Sequence, residues 1–164
     1  MKNRILHKGV LDKEQCNKLC EIFNKYKFKG WYGRYELDEL KIKDNTDKAY
    51  YHNTVVDMID ILSNNWKVND GPSMYQLEHS YMIGYNFECK PHLDRPHRKL
   101  SSSILLNDDF TKGNFRFYNP DERMDMEIGD AVIFKSNQWH GVEPTDGRQR
   151  ISIQLRFEWS DIVI

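Results

Sequence analysis

A histidine and an aspartate stand two positions apart in the segment PHLD, as His92 and Asp94. On an extended backbone, residues i and i+2 point to the same face, so an imidazole and a carboxylate there can converge on one ion. A second histidine would complete a facial triad, which leaves part of the metal's coordination sphere open. Oxygen chemistry needs such open positions, because a bidentate co-substrate and dioxygen must both reach the metal. An HxD triplet alone is weak evidence, since it arises by chance in many proteins.

His140 and Arg150 strengthen this hypothesis. His140 stands at the end of a predicted strand, before a turn at 143–147, and Arg150 opens the next strand ten residues after it. A hairpin of this kind can bring a guanidinium behind the metal, where it would pair bidentately with a carboxylate. Taken singly, His92 or His140 is more simply an ordinary, partly buried histidine. The order of the whole set therefore carries the hypothesis.

Helices are predicted before this part of the chain. A capping box formed by Asp12 and Gln15 begins a helix over about residues 13–26, where apolar side chains follow at helical spacing. Apolar positions over residues 55–62 predict a second helix that ends near Asn65.

From residue 74 onward, short runs of branched and aromatic residues alternate with polar turns. They predict strands at MYQLEHSYMI, KLSSSILL, NFRFY, AVIFK and RISIQLRF, in addition to a short opening strand at RILHKGV. Short strands at this spacing indicate an antiparallel sandwich or barrel. The predicted fold is mainly β with N-terminal helices, a jelly-roll core buttressed by those helices. We expect one domain over 1–164, with helical support and a candidate lid over 1–70 and the core over 74–157.

Composition excludes several classes of protein. The 164 residues include 24 basic and 25 acidic side chains, a net charge of −1 that gives no general attraction to nucleic acid or anionic membranes. No apolar run approaches the length of a membrane span, and the start MKNRILHKGVLDKEQ lacks a signal-peptide core. A cytoplasmic location is therefore expected. Cys16, Cys20 and Cys89 are interpreted as free thiols in a reducing compartment.

Four motifs follow one another along the second half of the chain: YMIGYNF, PHLD, RKLSSSILLNDDFTKGNFRF and IGDAVIF…HGVEPTDGRQRIS. In this order they resemble the prolyl 4-hydroxylase-like group of the 2-oxoglutarate/iron(II) dioxygenase superfamily, over about residues 74–157. The ordered set is far more specific than any single motif. Two departures are a slightly long stretch between Tyr81 and His92 and the Lys112-Gly113 hairpin, where paired glycines are frequent.

The resemblance implies a double-stranded β-helix, the cupin-like form of the jelly-roll, and a role for each matching residue. His92, Asp94 and His140 match the iron ligands of the family. Arg150 matches the basic residue that anchors the distal carboxylate of 2-oxoglutarate.

The residues around the co-substrate are less sharply defined by the resemblance. Tyr81 lies where related enzymes often place a tyrosine hydroxyl near 2-oxoglutarate, and Tyr85 and Tyr75 compete with it for this role. Ser152, just behind Arg150, could assist through its hydroxyl. The choice among the three tyrosines stays open.

The family chemistry implied by the resemblance uses iron(II), 2-oxoglutarate and dioxygen, with ascorbate as a candidate addition. It couples the conversion of 2-oxoglutarate to succinate and carbon dioxide with hydroxylation of a C–H bond. The leading hypothesis for the substrate is a peptidyl-prolyl side chain. One alternative is the same chemistry on a free amino acid, a small metabolite or a nucleobase, and another is a non-catalytic jelly-roll binding module.

The partners expected are accordingly a peptide, a protein or a small molecule, without a membrane or a strong nucleic-acid signal, and the chain is expected to be a monomer or homodimer.

Arg156 lies six residues after Arg150, on the same face of the predicted strand. Nucleic-acid alkylation-repair dioxygenases use two arginines so spaced, but farther from the distal histidine. Arg156 is therefore interpreted as a solvated or ion-paired residue.

The segment FNKYKFKGWYGRY, residues 23–35, interleaves basic and aromatic side chains. Such mixtures can bind single-stranded nucleic acid or a peptide. The favoured interpretation is a helix end that leads into a strand or lid, with the aromatic residues packed on the sheet. Weak candidates for contact with the substrate are Trp31, Tyr32, Arg34 and Tyr35.

Overall fold

The computed structural model describes residues 3–30, 34–70, 75–86, 88–96 and 98–159. Within these residues there are two α-helices, one short 3₁₀ helix and eleven strands. The helices are α1 (Lys13–Tyr26), the 3₁₀ helix (Glu39–Lys41) and α2 (Asn45–Asp70). The strands are β1 (Arg4–His7), β2 (Phe28–Lys29), β3 (Tyr35–Leu37), β4 (Tyr75–Tyr85), β5 (Cys89–His92), β6 (Arg98–Leu105), β7 (Phe115–Tyr118), β8 (Asp121–Met124), β9 (Ala131–Lys135), β10 (His140–Val142) and β11 (Arg150–Trp159).

The strands form two antiparallel sheets. The larger has the order β1-β9-β6-β11-β4-β3-β2, and the smaller has the order β5-β10-β7-β8. Side chains of both sheets pack together in one buried cluster, which consists of Phe115, Phe117, Met124, Val132, Phe134 and Val142. The two sheets therefore face each other, and the predicted mainly β fold with a double-stranded β-helix core is confirmed.

Strand β11 shows how the chain divides its side chains between two environments. One set is buried with residues of α1 and α2 in the main hydrophobic cluster: Ile151, Ile153, Leu155 and Phe157. Successive side chains of a strand point to opposite faces, so a second set points into the space between the sheets. That set is polar and consists of Arg150, Ser152, Gln154 and Arg156.

Helix α1 covers the outer face of the larger sheet, and its predicted bounds are confirmed. The backbone N–H of Gln15 donates to Asp12 Oδ1 over 2.8 Å, and the N–H of Asp12 donates to Gln15 Oε1 over 3.0 Å. This capping box satisfies two donors that the first turn of a helix leaves unpaired. The buried side chains of α1 are Cys16, Leu19, Ile22 and Phe23.

Replacing Asp12 with alanine is expected to lower the free energy of unfolding by about 0.5–2 kcal/mol, because the backbone N–H of Gln15 loses its acceptor. Chemical denaturation of the purified protein measures this change. Asp12→Asn keeps an acceptor oxygen and should retain most of the stability. Equal stability of Asp12→Ala and the unaltered protein would contradict the capping role.

The predicted bounds of the second helix were too short. Helix α2 begins at Asn45 rather than near residue 55 and continues to Asp70, past the expected end at Asn65. The side chain of Asp44 caps the beginning of α2, since the backbone N–H of Asp47 donates to Asp44 Oδ1 over 2.9 Å. The first turns are polar, and they are held to α1 by ion pairs of Asp47 rather than by an apolar stripe.

The short strands β2, β3, β5, β8 and β10 were not predicted as strands. β2, β3 and β10 have only two or three residues, and the four residues of β5 and of β8 do not alternate between buried and exposed. The opening strand, expected over residues 4–10, ends at His7, and Gly9 adopts a positive φ of 63° in the turn that follows. In the part of the chain that the structure describes, no helix has the length and apolarity needed to span a membrane.

Candidate metal and co-substrate site

The three predicted ligands meet where β5 and β10 pair. His92 ends β5, His140 opens β10, and the two residues lie directly opposite each other in the ladder. Their ring centroids are 4.4 Å apart. Asp94 Oδ1 lies 3.8 Å from His92 Nε2 and 3.9 Å from His140 Nε2. All candidate ligand atoms lie within 4.8 Å of one another, which is close enough to bind one ion.

Both imidazoles are oriented by backbone carbonyls. His92 Nδ1 lies 2.9 Å from the carbonyl oxygen of Lys90, and His140 Nδ1 lies 2.9 Å from that of Gln138. A carbonyl oxygen only accepts hydrogen bonds, so Nδ1 carries the hydrogen in each ring and Nε2 keeps its lone pair. Metal-binding histidines are commonly oriented in this way. The two Nε2 atoms are those that face Asp94.

The site is much more open on one side than on the other. The side chain of His92 is 41% exposed, whereas those of Asp94 and His140 are 5% and 4% exposed. The ring of His140 stacks on Phe115, with centroids 5.6 Å apart and an interplanar angle of 7°, and it also contacts Phe134 over 4.6 Å. The aromatic cluster between the sheets thus holds one imidazole, while the other lies at the surface.

The charges of the three side chains suit a divalent cation. Burial by itself raises the pKa of the Asp94 carboxyl, but Arg156, His140 and the Ser101 hydroxyl outweigh it and bring the pKa below its ordinary value. Burial also lowers the pKa of His140 to about 4, against the attraction of Asp94. At neutral pH the site therefore offers one carboxylate and a neutral His140. Two nitrogen ligands and one oxygen ligand are the donor set that non-haem iron(II) uses.

His92 is the more basic of the two imidazoles. Its Nδ1 lies 3.8 Å from Cys89 Sγ, and this contact raises the pKa of His92 above the ordinary value of 6.5, although burial opposes the shift. A protonated imidazole cannot bind a metal ion. His92 should therefore be the first ligand to be lost as the pH falls.

We expect metal affinity to decline by about tenfold per pH unit once the pH falls through the pKa of His92, since one proton then competes with the ion. Titration of the protein with Mn(II) between pH 8 and pH 5 measures this dependence. Cys89→Ser, which removes the neighbouring thiol, should move the decline to lower pH. A constant affinity over this range would contradict the assignment of His92 as a ligand.

Arg150 lies at the start of β11 and is almost fully buried, with 1% of the residue exposed. Its Nη1 atom has no hydrogen-bond partner among the described residues. Burial lowers the pKa of Arg150 to about 10, so the guanidinium remains charged at neutral pH. An unpaired buried donor costs about 1–3 kcal/mol, and a carboxylate is the group that would best satisfy it. The site therefore fits a carboxylate-bearing co-substrate.

The candidate tyrosines lie at different distances along the ladder from Arg150. Tyr85 is directly opposite Arg150, whereas Tyr81 is opposite Gln154. Tyr75 is opposite Trp159, at the far end of β4. Tyr85 is buried, its hydroxyl accepts a hydrogen bond from Arg34 Nη1 over 3.1 Å, and burial raises its pKa. The geometry favours Tyr85 over Tyr81 as the neighbour of a carboxylate bound to Arg150.

Ser152 is completely buried between the sheets, on the same face of β11 as Arg150. Its hydroxyl oxygen accepts a hydrogen bond from Gln154 Nε2 over 2.8 Å, and the same nitrogen donates to Ser103 Oγ over 2.9 Å. Ser152 therefore belongs to a hydrogen-bonded row that continues through Gln154 to Arg156, whose Nη2 donates to Gln154 Oε1.

Of the four weak candidates for substrate contact, Trp31 and Tyr32 lie outside the described residues. Arg34 is partly buried, pairs with Glu36 and donates to Tyr85. Tyr35 lies opposite Gly84 in the ladder, so its side chain points to the face opposite Tyr85. The structure thus brings Arg34, but not Tyr35, to the residues around Arg150.

Sequence reasoning missed two serines that lie next to Asp94, and it did not place Arg156 beside that carboxylate. Ser101 donates to Asp94 Oδ2, Ser136 lies 3.0 Å from the Ser101 hydroxyl, and Arg156 Nε lies 3.5 Å from Asp94 Oδ2. Arg156 is ion-paired, one of the two alternatives expected for it, and it is buried rather than solvated. The alternation in RISIQLRF places Arg156 on the same face as Arg150, and this signal could have indicated a place inside the site.

A separate groove of about 520 Å³ lies on the outer face of the smaller sheet and shares no residue with this site. Three of its charged side chains pair with one another, since Arg116 and Arg123 both bind Glu143. The groove is therefore not the place where the chemistry of the site occurs.

Residues 76–158, just over half of the chain, match the 2OG-Fe(II) oxygenase superfamily. No curated protein matches the chain by sequence.

Similar solved structures include three prolyl hydroxylases. One, from Trichoplax adhaerens, is in complex with a peptide fragment of the hypoxia inducible factor oxygen degradation domain; its TM-score is 0.76 at 14% identity, over 95% of this chain and 83% of that one. A Pseudomonas putida prolyl-4-hydroxylase matches with a TM-score of 0.70 at 17% identity, over 95% of this chain and 92% of that one. The viral collagen prolyl hydroxylase of Paramecium Bursaria Chlorella virus-1, in its 2OG complex, matches with a TM-score of 0.69 at 14% identity, over 95% of this chain and 96% of that one.

At these identities the structural similarity concerns the fold alone. The family follows from the sequence match over residues 76–158, which includes all three converging side chains and Arg150. The predicted membership is confirmed: the chain belongs to the 2OG-Fe(II) oxygenase superfamily and is an enzyme of that class.

Proposed function

We propose that the protein is a 2-oxoglutarate-dependent hydroxylase that binds iron(II) through His92, Asp94 and His140. The single observation that carries this proposal is the convergence of candidate ligand atoms of these side chains within 4.8 Å of one another. Arg150 is buried on the facing sheet, where Cys89 of β5 is one of its electrostatic neighbours. When bound, the iron and 2-oxoglutarate supply the oxidising chemistry of the family. Succinate and carbon dioxide are the co-products that this chemistry implies, and ascorbate remains a candidate addition.

The side chains of the site divide the work of binding. His92 and His140 present Nε2 lone pairs, because backbone carbonyls hold the hydrogen of each ring at Nδ1. Asp94 supplies the negative charge, since its pKa is held below the ordinary value. These roles require no proton transfer at neutral pH as long as His92 is neutral.

Arg150 is proposed to bind the distal carboxylate of 2-oxoglutarate with its unpaired Nη1. Tyr85 is proposed to lie beside that carboxylate, and Ser152 to line the same pocket, as their positions opposite and next to Arg150 support. Tyr81 is the alternative to Tyr85. The surrounding side chains are buried, which excludes water and strengthens a charge pair.

The substrate is proposed to be a peptidyl-prolyl side chain. The three similar structures are prolyl hydroxylases, and one of them holds a peptide. Arg34 is proposed to contact the substrate near the mouth of the pocket, with Trp31 and Tyr32 as further candidates; Tyr35, which points to the opposite face, is not proposed for this role. We further propose that residues 1–164 form one domain, in which residues 1–70 support the core over 74–157 and contribute a lid, and that the chain works as a monomer or homodimer.

Incubation of the protein with iron(II), 2-oxoglutarate, air and proline-containing peptides tests this function. Release of succinate, together with a gain in peptide mass equal to one oxygen atom, is the expected result. If succinate is released but only free amino acids, small metabolites or nucleobases gain mass, the proposal of a peptide substrate is wrong and the substrate is one of these small molecules. The absence of succinate under all of these conditions would favour a non-catalytic binding module.

A further inference from the structure

The two carboxylate oxygens of Asp94 have different partners. Oδ1 faces the imidazoles of His92 and His140, at 3.8 and 3.9 Å from their Nε2 atoms. Oδ2 accepts a hydrogen bond from the Ser101 hydroxyl and lies 3.5 Å from Arg156 Nε. Asp94 therefore presents one oxygen to the metal position and has the other engaged by the protein.

Arg156 is held firmly in the interior of the protein. The residue is 5% exposed, Nη1 donates to the carbonyl of Ser102 over 3.3 Å, and Nη2 donates to Gln154 Oε1 over 3.2 Å. Gln154 is in turn fixed through its Nε2 atom by Ser103 and Ser152. The Nε atom of Arg156 has no hydrogen-bond partner among the described residues. The guanidinium is thus anchored through its far nitrogens, and Asp94 Oδ2 is the anionic group beside Nε.

Ser101 is anchored as well. Its hydroxyl lies 3.0 Å from that of Ser136, and both residues are buried. The backbone N–H of Asp94 donates to the carbonyl of Ser136 over 3.3 Å, so the same residue also fixes the main chain next to the carboxylate. Rotation of the carboxylate would separate Oδ2 from both Ser101 and Arg156.

The number of oxygens that Asp94 gives to a metal decides how many positions remain for other ligands. A carboxylate bound through both oxygens takes two positions of an octahedral ion, whereas one bound through a single oxygen takes one. Because oppositely charged groups in a buried site attract each other strongly, Arg156 competes with the ion for Oδ2.

We infer that Arg156 is a positioning residue which, together with Ser101, keeps Oδ2 of Asp94 away from the metal. Asp94 then occupies one coordination position, and the position that a second oxygen would take stays available to exchangeable ligands. This inference rests on the proposed set of metal ligands, and it assigns Arg156 a different role from Arg150 on the same strand.

Water-proton relaxation of the Mn(II)-loaded protein tests the inference without any turnover, because it reports the number of exchangeable waters on the ion. A facial triad leaves about three such positions on an octahedral ion. Arg156→Met keeps an unbranched apolar side chain but removes the guanidinium. Its relaxivity at saturating Mn(II) should fall by about a third, as Asp94 gains a second contact with the ion.

The affinity for Mn(II) distinguishes this role from a merely structural one. Removal of a buried cation near a dication removes repulsion, so Arg156→Met should bind Mn(II) at least as tightly as the unaltered protein does. A structural defect would instead weaken binding and leave the relaxivity of the loaded fraction unchanged. Equal relaxivity in the two proteins, or loss of Mn(II) binding by a folded Arg156→Met protein, overturns the inference.

Companion variants complete the experiment. Arg156→Lys retains the charge and should recover most of the lost relaxivity. Arg4→Met removes another largely buried arginine, one that pairs with Glu122, and should leave relaxivity unchanged. If Arg156→Met does not fold, Ser101→Ala decides: a smaller fall in relaxivity supports the inference, and an unchanged value overturns it. Failure of the unaltered protein to bind Mn(II) would instead refute the proposed ligand set.

Discussion

Asp94→Ala is expected to reduce 2-oxoglutarate turnover by more than about 100-fold, which exceeds the usual effect of changing a group that merely supports a ligand. The substitution removes the only carboxylate within the proposed ligand set. It also leaves the buried guanidinium of Arg156 without its counter-charge, 3.5 Å from where Asp94 Oδ2 had been. That uncompensated charge repels a dication, so metal affinity should be lost by both routes.

Titration with Mn(II) and measurement of succinate release check this prediction together. Asp121→Ala is a suitable control, because Asp121 pairs with Arg116 on the exposed outer face of the smaller sheet. It should leave both readouts unchanged. His92→Ala and His140→Ala should behave like Asp94→Ala. Turnover of Asp94→Ala within tenfold of the unaltered protein would remove Asp94 from the ligand set.

Arg150→Met is expected to raise the KM for 2-oxoglutarate by at least about 30-fold, equivalent to roughly 2 kcal/mol. The bound dicarboxylate would lose its charge partner inside a buried pocket. Mn(II) affinity should change little, because the described contacts of His92, His140 and Asp94 do not include Arg150. Steady-state kinetics over a range of 2-oxoglutarate concentrations, with a parallel Mn(II) titration, separate the two effects.

The same variant should not destabilise the protein in the absence of ligands. Arg150 Nη1 is buried without a hydrogen-bond partner among the described residues, and replacement of such a group by a well-packed apolar side chain is commonly neutral or stabilising. Thermal unfolding of Arg150→Met should therefore occur at an unchanged or higher temperature. A lower KM, or an equal one, would contradict the proposed carboxylate anchor.

The sequence predicted the parts of the fold that have a local signal. Helix α1 has a capping box and a buried stripe, and β11 has strict alternation over most of its length. The beginning of α2 was missed, since its first turns are polar and are held by Asp47 rather than by apolar burial. The strands β5 and β10 have too few residues for a pattern, and they form because each provides the other with backbone partners.

The convergence of the candidate ligands could be predicted because it has a signal in local sequence spacing. The residues that surround the ligands could not be predicted, because their contacts join distant parts of the chain. The HxD spacing and the interval from His140 to Arg150 are properties of neighbouring residues. The partner of Arg156 is Asp94, far away in the chain, and no local pattern encodes that distance. Likewise, the choice of Tyr85 over Tyr81 depends on the register between β4 and β11, which the sequence does not specify.

The unequal exposure of the two imidazoles has a consequence for how an ion is exchanged. His140 is wedged among aromatic rings and Asp94 is held from two sides, so neither can release an ion by moving alone. His92 ends a four-residue strand and is open to solvent. An ion should therefore dissociate by losing its bond to His92 first. We expect chelators to remove the metal, and new metal to bind, from the side of the site on which β5 lies.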